Sequence, residues 1–206
     1  MPLSEFSIIA KYFSRGHRRE DVVLGVGDDA ALLNVPTQMQ LAVSVDALVA
    51  GRHFPLGTDP EAMGYKALAV NLSDMAAMGA SPAWVTLALT LPEPDTDFLD
   101  GFAAGFYRLA EAYGVALVGG DTVRGPLQMA VQIQGLVPQG KALTRAGARA
   151  GDHLFVTGTL GDAGAGLGLV QGTLNCEEPC ATELRRRLDY PTPRVDVGMG
   201  LRNIAS

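Results

Sequence analysis

Five aspartates stand in settings where a carboxylate needs a reason. Asp28 and Asp29 follow the glycine turn Gly25-Val26-Gly27 and precede the apolar run Ala30-Ala31-Leu32-Leu33. Asp46 closes the polar side of the alternating segment Gln40–Asp46. Asp74 lies within Val70-Asn71-Leu72-Ser73-Asp74-Met75-Ala76. It is three residues after Asn71, so on a helix the two share a face. Asp121 follows the pair Gly119-Gly120. Taken singly, each has an ordinary use as a turn cap or an ion-pair partner. Brought together they do not. Two carboxylates about 4 Å apart repel by roughly 4 kcal/mol at an effective dielectric near 20, so a cluster needs protons or cations. Aspartates, the hydroxyl of Ser44 and backbone carbonyls are hard oxygen donors. They suit Mg²⁺, which keeps positions open for water and substrate phosphates. Phosphate partners are also available in Arg124, Arg145 and the amides of Gly119-Gly120. Arg145 stands among small residues in Leu143-Thr144-Arg145-Ala146-Gly147, as a phosphate clamp would. A surface arginine is the alternative. His53, in Gly51-Arg52-His53-Phe54, follows Asp46 closely enough to contact a substrate held there. His17 and His153 have no such context.

Two phosphate-loop look-alikes fail on chemistry. Gly135 to Ala142 nearly spells a P-loop, but Ala142 replaces the Ser or Thr that would ligate magnesium, and no long helix follows. Gly25-Val26-Gly27-Asp28-Asp29-Ala30 resembles a dinucleotide fingerprint, but its two acids would confront a pyrophosphate. Cys176 and Cys180 lack a nearby His, and read as reduced cysteines of a cytoplasmic protein.

The elements that must position these groups are readable from periodicity. Ser4 caps a short helix over Phe6, Ile9, Ala10 and Phe13 that ends at Gly16. Gln40–Asp46 alternates as a strand, with Leu41, Val43 and Val45 on one side and Ala42, Ser44 and Asp46 on the other. Pro60 opens a long helix to Met78, with Met63, Leu68, Leu72 and Met75 as its stripe. Trp84–Leu91 reads as a buried strand, and Asp95–Tyr113 as a helix with Phe98, Phe102, Phe106 and Leu109 aligned. Val115–Val118 is a short strand ending at the double glycine. Leu127–Val137 alternates apolar residues with Gln128, Gln132 and Gln134, which suits an edge or a polar-cored sheet between subunits. Beyond Arg145 come a strand over His153–Thr157, a glycine-rich turn feeding a helix to Gln171, a helix over Thr182–Leu188, and a last amphipathic piece from Val195.

The expected fold is α/β (α+β): a mixed four-stranded sheet flanked by helices over residues 1–140, then the start of an incomplete second α/β domain over 141–206. The 206 residues are 48 % apolar and 18 % charged, with mean hydropathy +0.17 and net charge −6. These values exclude disorder and give no basic footprint for nucleic acid. No apolar run is long enough for a membrane span, and Met1–Lys11 does not read as a signal peptide.

Seven segments together resemble the bacterial thiamine-monophosphate kinase family of the aminoimidazole-ribotide-synthetase-like superfamily. They are Gly25–Leu33, Ser44–Phe54, Tyr65–Asp74, Met78–Ala80, Val118–Thr122, Ala142–Ala148 and Thr157–Asp162. The His53 segment and the Asn71-Leu72-Ser73-Asp74 wording separate this family from its superfamily relatives. The resemblance implies ATP-dependent phosphorylation of thiamine monophosphate to thiamine diphosphate with several Mg²⁺ ions. It also implies a cytoplasmic homodimer whose N-terminal sheets join into a barrel. By motif, Asp29, Ser44, Asp46, Asp74 and Asp121 would ligate Mg²⁺, with Val45 adding its backbone carbonyl where the family often has Thr. Gly120, Asp121, Arg145 and Tyr113 would bind ATP, and His53 the thiamine substrate. Family members continue past the equivalent of Ser206 with further metal and ATP ligands, so this chain is expected to be a fragment with half a site. Another ATP-dependent synthetase of the superfamily and a non-catalytic dimerisation module are the alternative readings.

Overall fold

The computed structural model describes residues 4–14, 16 and 18–205; His17 lies outside them. Ser4 caps helix α1 (Glu5–Ile8) by accepting a hydrogen bond from the Ser7 amide at 3.3 Å, and a π-helical turn continues it over Ile9–Phe13. Strands β1 (Val22–Leu24) and β2 (Leu32–Leu33) form a small antiparallel pair that the alternation does not reveal, because each is too short to show a period. Then follow β3 (Met39–Val49), α2 (Pro60–Ala77), β4 (Ser81–Leu91), α3 (Thr96–Ala112), β5 (Ala116–Arg124) and β6 (Gln128–Pro138). The last three helices are α4 (Asp162–Val170), α5 (Cys180–Asp189) and α6 (Val195–Leu201).

The main sheet is four-stranded and mixed, in the order β3-β6-β4-β5, with β4 and β5 parallel and the other pairs antiparallel. Helices α2 and α3 cover one face. The expected stripe residues Met63, Leu68, Leu72 and Met75 of α2, and Phe102, Phe106 and Leu109 of α3, are buried with Val85, Leu87, Leu89, Met129, Val131 and Ile133 of the sheet. The two helices cross closely because Gly105 has no side chain: a Cβ there would stand 1.9 Å from the Glu61 carbonyl oxygen. No helix among the described residues is long and apolar enough to cross a membrane.

Three expectations change on contact with the structure, and one open point is settled. The glutamine-alternating strand β6 is not an edge; it lies between β3 and β4. Strand β5 does not stop at the double glycine but runs on to Arg124, paired with β4 through Leu91. The pairing survives because the register shifts between Val85 and Thr86, and because Gly120 passes the β4 backbone where no side chain fits. The faces of β3 also carry the reverse of their usual roles. Leu41, Val43 and Val45 are exposed, Val45 by 61 %, while Ala42, Ser44 and Asp46 are partly covered. Finally, His153–Thr157 pairs with no strand among the described residues, and its apolar side chains stand in solvent, with Leu154 at 95 % and Phe155 at 93 % exposure. Residues 141–206 therefore contribute helices and no described strand. They are nonetheless docked: Val195 joins the main core, the Leu143 amide bonds to the Met78 carbonyl at 3.1 Å, and Lys66 pairs with Asp189 at 3.6 Å.

Candidate functional site

The carboxylates singled out above assemble into two groups at opposite edges of the sheet. The first sits where α2 crosses β3. The strand alternation aims Ser44 and Asp46 toward the helix side, and the three-residue spacing on α2 presents Asn71 and Asp74 to them. Ser44 Oγ donates a hydrogen bond to the Asp74 carboxylate. The Asp46 amide donates to Asn71 Oδ1 at 3.2 Å. Burial raises the Asp46 carboxyl above its usual range, the Asp74 charge raises it further, and His53 counteracts both. A carboxyl so placed gains from a nearby counter-charge. His53 is held nearby by a tight turn: Gly51 adopts φ +73°, its amide bonds to the Phe54 carbonyl at 2.9 Å, and buried Phe54 anchors the loop. His53 Nδ1 accepts the Val49 amide at 3.0 Å, which places the proton of a neutral ring on Nε2. Val45 presents only an aliphatic side chain, on the opposite face, and its peptide groups lie within the β3–β6 ladder.

The second group borders a cavity of about 420 Å³ along the β5 edge. Asp28 and Asp29 line one wall, Gly119, Gly120 and Asp121 the floor, and Phe6, Ile9 and Phe13 of the N-terminal helical segment the other wall. The Asp29 amide donates to Asp28 Oδ1 at 2.8 Å, which fixes the acidic turn and leaves the Asp29 side chain exposed. At Gly120 a Cβ would lie 1.9 Å from the Leu87 carbonyl oxygen, so the backbone itself forms the floor. Leu87, which lines the cavity, belongs to the helix-covered face with Ser44 and Asp46, whereas Asp121 shares the opposite face with Ala47 and Ala88.

One chain does not merge the two groups. Ala47, Ala130, Ala88 and Asp121 form one row across the sheet. Asp121 is thus three strand spacings from the β3 acids, about 14 Å. Among the described residues no three His, Cys, Asp or Glu side chains come close enough to hold one metal ion.

The remaining candidates lie elsewhere. Tyr113 ends α3, and its hydroxyl donates to the Pro193 carbonyl at 3.1 Å, tying the later segment to the helix. Burial is the main cause of its raised pKa. Arg124 Nε donates to the Pro92 carbonyl at 3.1 Å. Arg145 is exposed in a loop, with no side-chain hydrogen bond or ion pair among the described residues. The P-loop look-alike is the end of β6 and the turn that follows it, and Lys141 reaches Asn203 at 3.1 Å. Sequence reasoning missed the cavity wall of Phe6, Ile9 and Phe13. Their spacing marked a short helix, but nothing local says what it lies against, and Phe6 stays 82 % exposed.

Known proteins extend this picture. Over 208 residues, the chain is 53 % identical to thiamine-monophosphate kinase of Salmonella typhimurium, covering all of this chain and 64 % of that protein. Thiamine-monophosphate kinase from Stenotrophomonas maltophilia K279a superposes with a TM-score of 0.86 at 49 % identity, covering 98 % of this chain and 66 % of the other. A structure described as AaThiL complexed with AMPPCP and TMP superposes with a TM-score of 0.75 at 32 % identity, covering 98 % and 63 %. The chain therefore spans a little under two thirds of the length of these relatives. Residues 27–137, which hold both acidic groups and all but the last residue of the main sheet, match the model for AIR synthase related protein, N-terminal domain, and the chain belongs to that family.

Proposed function

We propose that this sequence is the N-terminal part of a cytoplasmic, ATP-dependent kinase that converts thiamine monophosphate to thiamine diphosphate with Mg²⁺. The observation that carries the reading is the match, over all of this chain, to thiamine-monophosphate kinases at 53 % identity, with the aspartates standing in two prepared groups. A neighbour of the same fold is described with AMPPCP and TMP, in keeping with a nucleotide and a phosphorylated acceptor.

The residues fit magnesium. Asp29, Ser44, Asp46, Asp74 and Asp121 offer hard oxygens, and the Asp74 charge adds to burial in raising the Asp46 carboxyl. Val45, whose side chain carries no oxygen, would add its backbone carbonyl to this set. Magnesium, when bound, would neutralise charge on the transferring phosphoryl group. The chain's own work is placement. The Gly119-Gly120 backbone gives phosphates a close approach beside Asp121, and Arg145 is free to close on them from its loop. His53 offers Nε2–H to the acceptor. The acceptor's phosphate oxygen is ionised near neutral pH, so no strong base is required. It attacks the γ-phosphorus in line as the bond to the ADP oxygen breaks.

The active form is a homodimer. The exposed face of Leu41, Val43 and Val45 with Gln128 and Gln132 is suited to a second copy of itself. A barrel of two such sheets, with its two-fold along the barrel, sets the β5 edge of one copy against the β3 edge of the other. Both acidic groups then contribute to one site. The test is a phosphorylation assay on a longer protein carrying this sequence. Thiamine monophosphate should be converted to thiamine diphosphate in preference to other phosphate acceptors. Failure to use it, or equal use of unrelated acceptors, contradicts the reading.

A further inference from the structure

Asn71 is fully buried in the middle of α2, and both ends of its carboxamide are occupied. Nδ2 donates to the Ala67 carbonyl one turn back at 2.9 Å, which fixes the side-chain rotation. Oδ1 accepts the amide of Asp46 at 3.2 Å. Strand β3 is a sheet edge, where every second residue directs its N–H away from the neighbouring strand. The Asp46 amide is one of these. Its partner is a side chain from the covering helix. Three residues on, Asp74 accepts from Ser44. Two hydrogen bonds from one face of α2 therefore grip β3 on either side of residue 45.

We infer that Asn71 is a positioning residue: it pins the backbone of Asp46 so that its carboxylate is held ready beside Asp74 for a divalent cation. Asn71 does not touch the cation itself. A side chain that bonds the backbone of a ligand residue narrows the positions that ligand can take, and losing such a partner commonly weakens metal affinity about 10-fold or more. Asn is the suitable residue for this. It must accept from the Asp46 amide without bringing a third negative charge to Asp46 and Asp74, and it must donate to Ala67. Leucine has similar volume and does neither. The inference rests on the proposed metal role of Asp46 and Asp74.

The test is calorimetric titration of the 206-residue chain with Mg²⁺, with Mn²⁺ as a second probe, and amide exchange at Asp46 as a readout separate from metal. Asn71→Leu should bind about 10-fold more weakly. Asn71→Asp should keep the Asp46 amide protected, because its carboxylate still accepts. In the metal-free wild type, that amide should exchange far more slowly than an exposed loop amide. Wild-type affinity in a folded Asn71→Leu, while Asp46→Asn binds poorly, overturns the inference and spares the metal reading. If the wild type itself binds neither ion, the metal reading falls and the inference with it. If Asn71→Leu does not fold, fast exchange of the Asp46 amide in the wild type is the overturning result.

Discussion

The two edges of the sheet hold their acids in different ways. At the β3 edge, Asp46 and Asp74 are tied by neighbouring side chains, through Ser44 and Asn71, and pay in charge repulsion for being close. At the β5 edge, Asp28, Asp29 and Asp121 border an open cavity, and what is fixed there is backbone: a glycine turn and a strand with no room for a side chain. On the proposed function, one edge would hold a cation and the other would receive something bulky beside it. Neither is a complete metal site.

The largest expected effect comes from breaking the backbone edge. Gly120→Ala places a Cβ 1.9 Å from the Leu87 carbonyl oxygen, against backbone that cannot rotate away. Parting β4 and β5 should cost more than about 4 kcal/mol of stability, read by chemical denaturation, and the cavity floor should be lost with it. A loss under about 1 kcal/mol would show that the strand can shift. At the β3 edge the expected losses are smaller. Ser44→Ala removes a hydrogen bond to a carboxylate at a partly exposed position. It should cost about 1.5 kcal/mol in metal-free denaturation, with weaker Mg²⁺ binding.

The smallest effect is the most diagnostic. The Asp46 carboxyl is raised in the folded chain, by burial first and by Asp74 second. The folded state therefore holds that proton more tightly than the unfolded state. Stability is lost as pH rises from the unfolded value of 3.8 to the raised value, and the penalty is complete above it. Asp46→Asn should accordingly melt higher than wild type at pH 7 without metal, and the gap should close on acidification. Saturating Mg²⁺ should stabilise the wild type and not the variant. A variant that melts lower than wild type at neutral pH would mean that Asp46 is a structural acid.

Much of this was legible in the sequence. The Asn71–Asp74 spacing and the alternation of Ser44 and Asp46 placed four side chains on two facing surfaces, because helix and strand periods are local properties. What was not legible depends on neighbours. Nothing in Val115–Val118 says that β4 will carry the strand on through Gly119 and Gly120 to Arg124. Val43 and Val45 obey the strand period, but which face is covered is decided by where α2 lands. His153–Thr157 has the composition of a strand but no partner among the described residues. Tyr113 was a nucleotide-contact candidate from the family resemblance alone, and nothing local told that its hydroxyl would meet the Pro193 carbonyl.

The central claim is that the two edges complete one another only across two copies of the chain, and mixed dimers test it most directly. One chain carries Asp46→Asn with Asp74→Asn, the other Asp29→Asn with Asp121→Asn. Each alone should bind Mg²⁺ at least about 10-fold more weakly than wild type, a loss near 1.4 kcal/mol. Refolded together, they should form dimers in which one of the two sites has all its acids, and wild-type affinity should return at that site. A mixture that binds no better than its separate components would contradict the account.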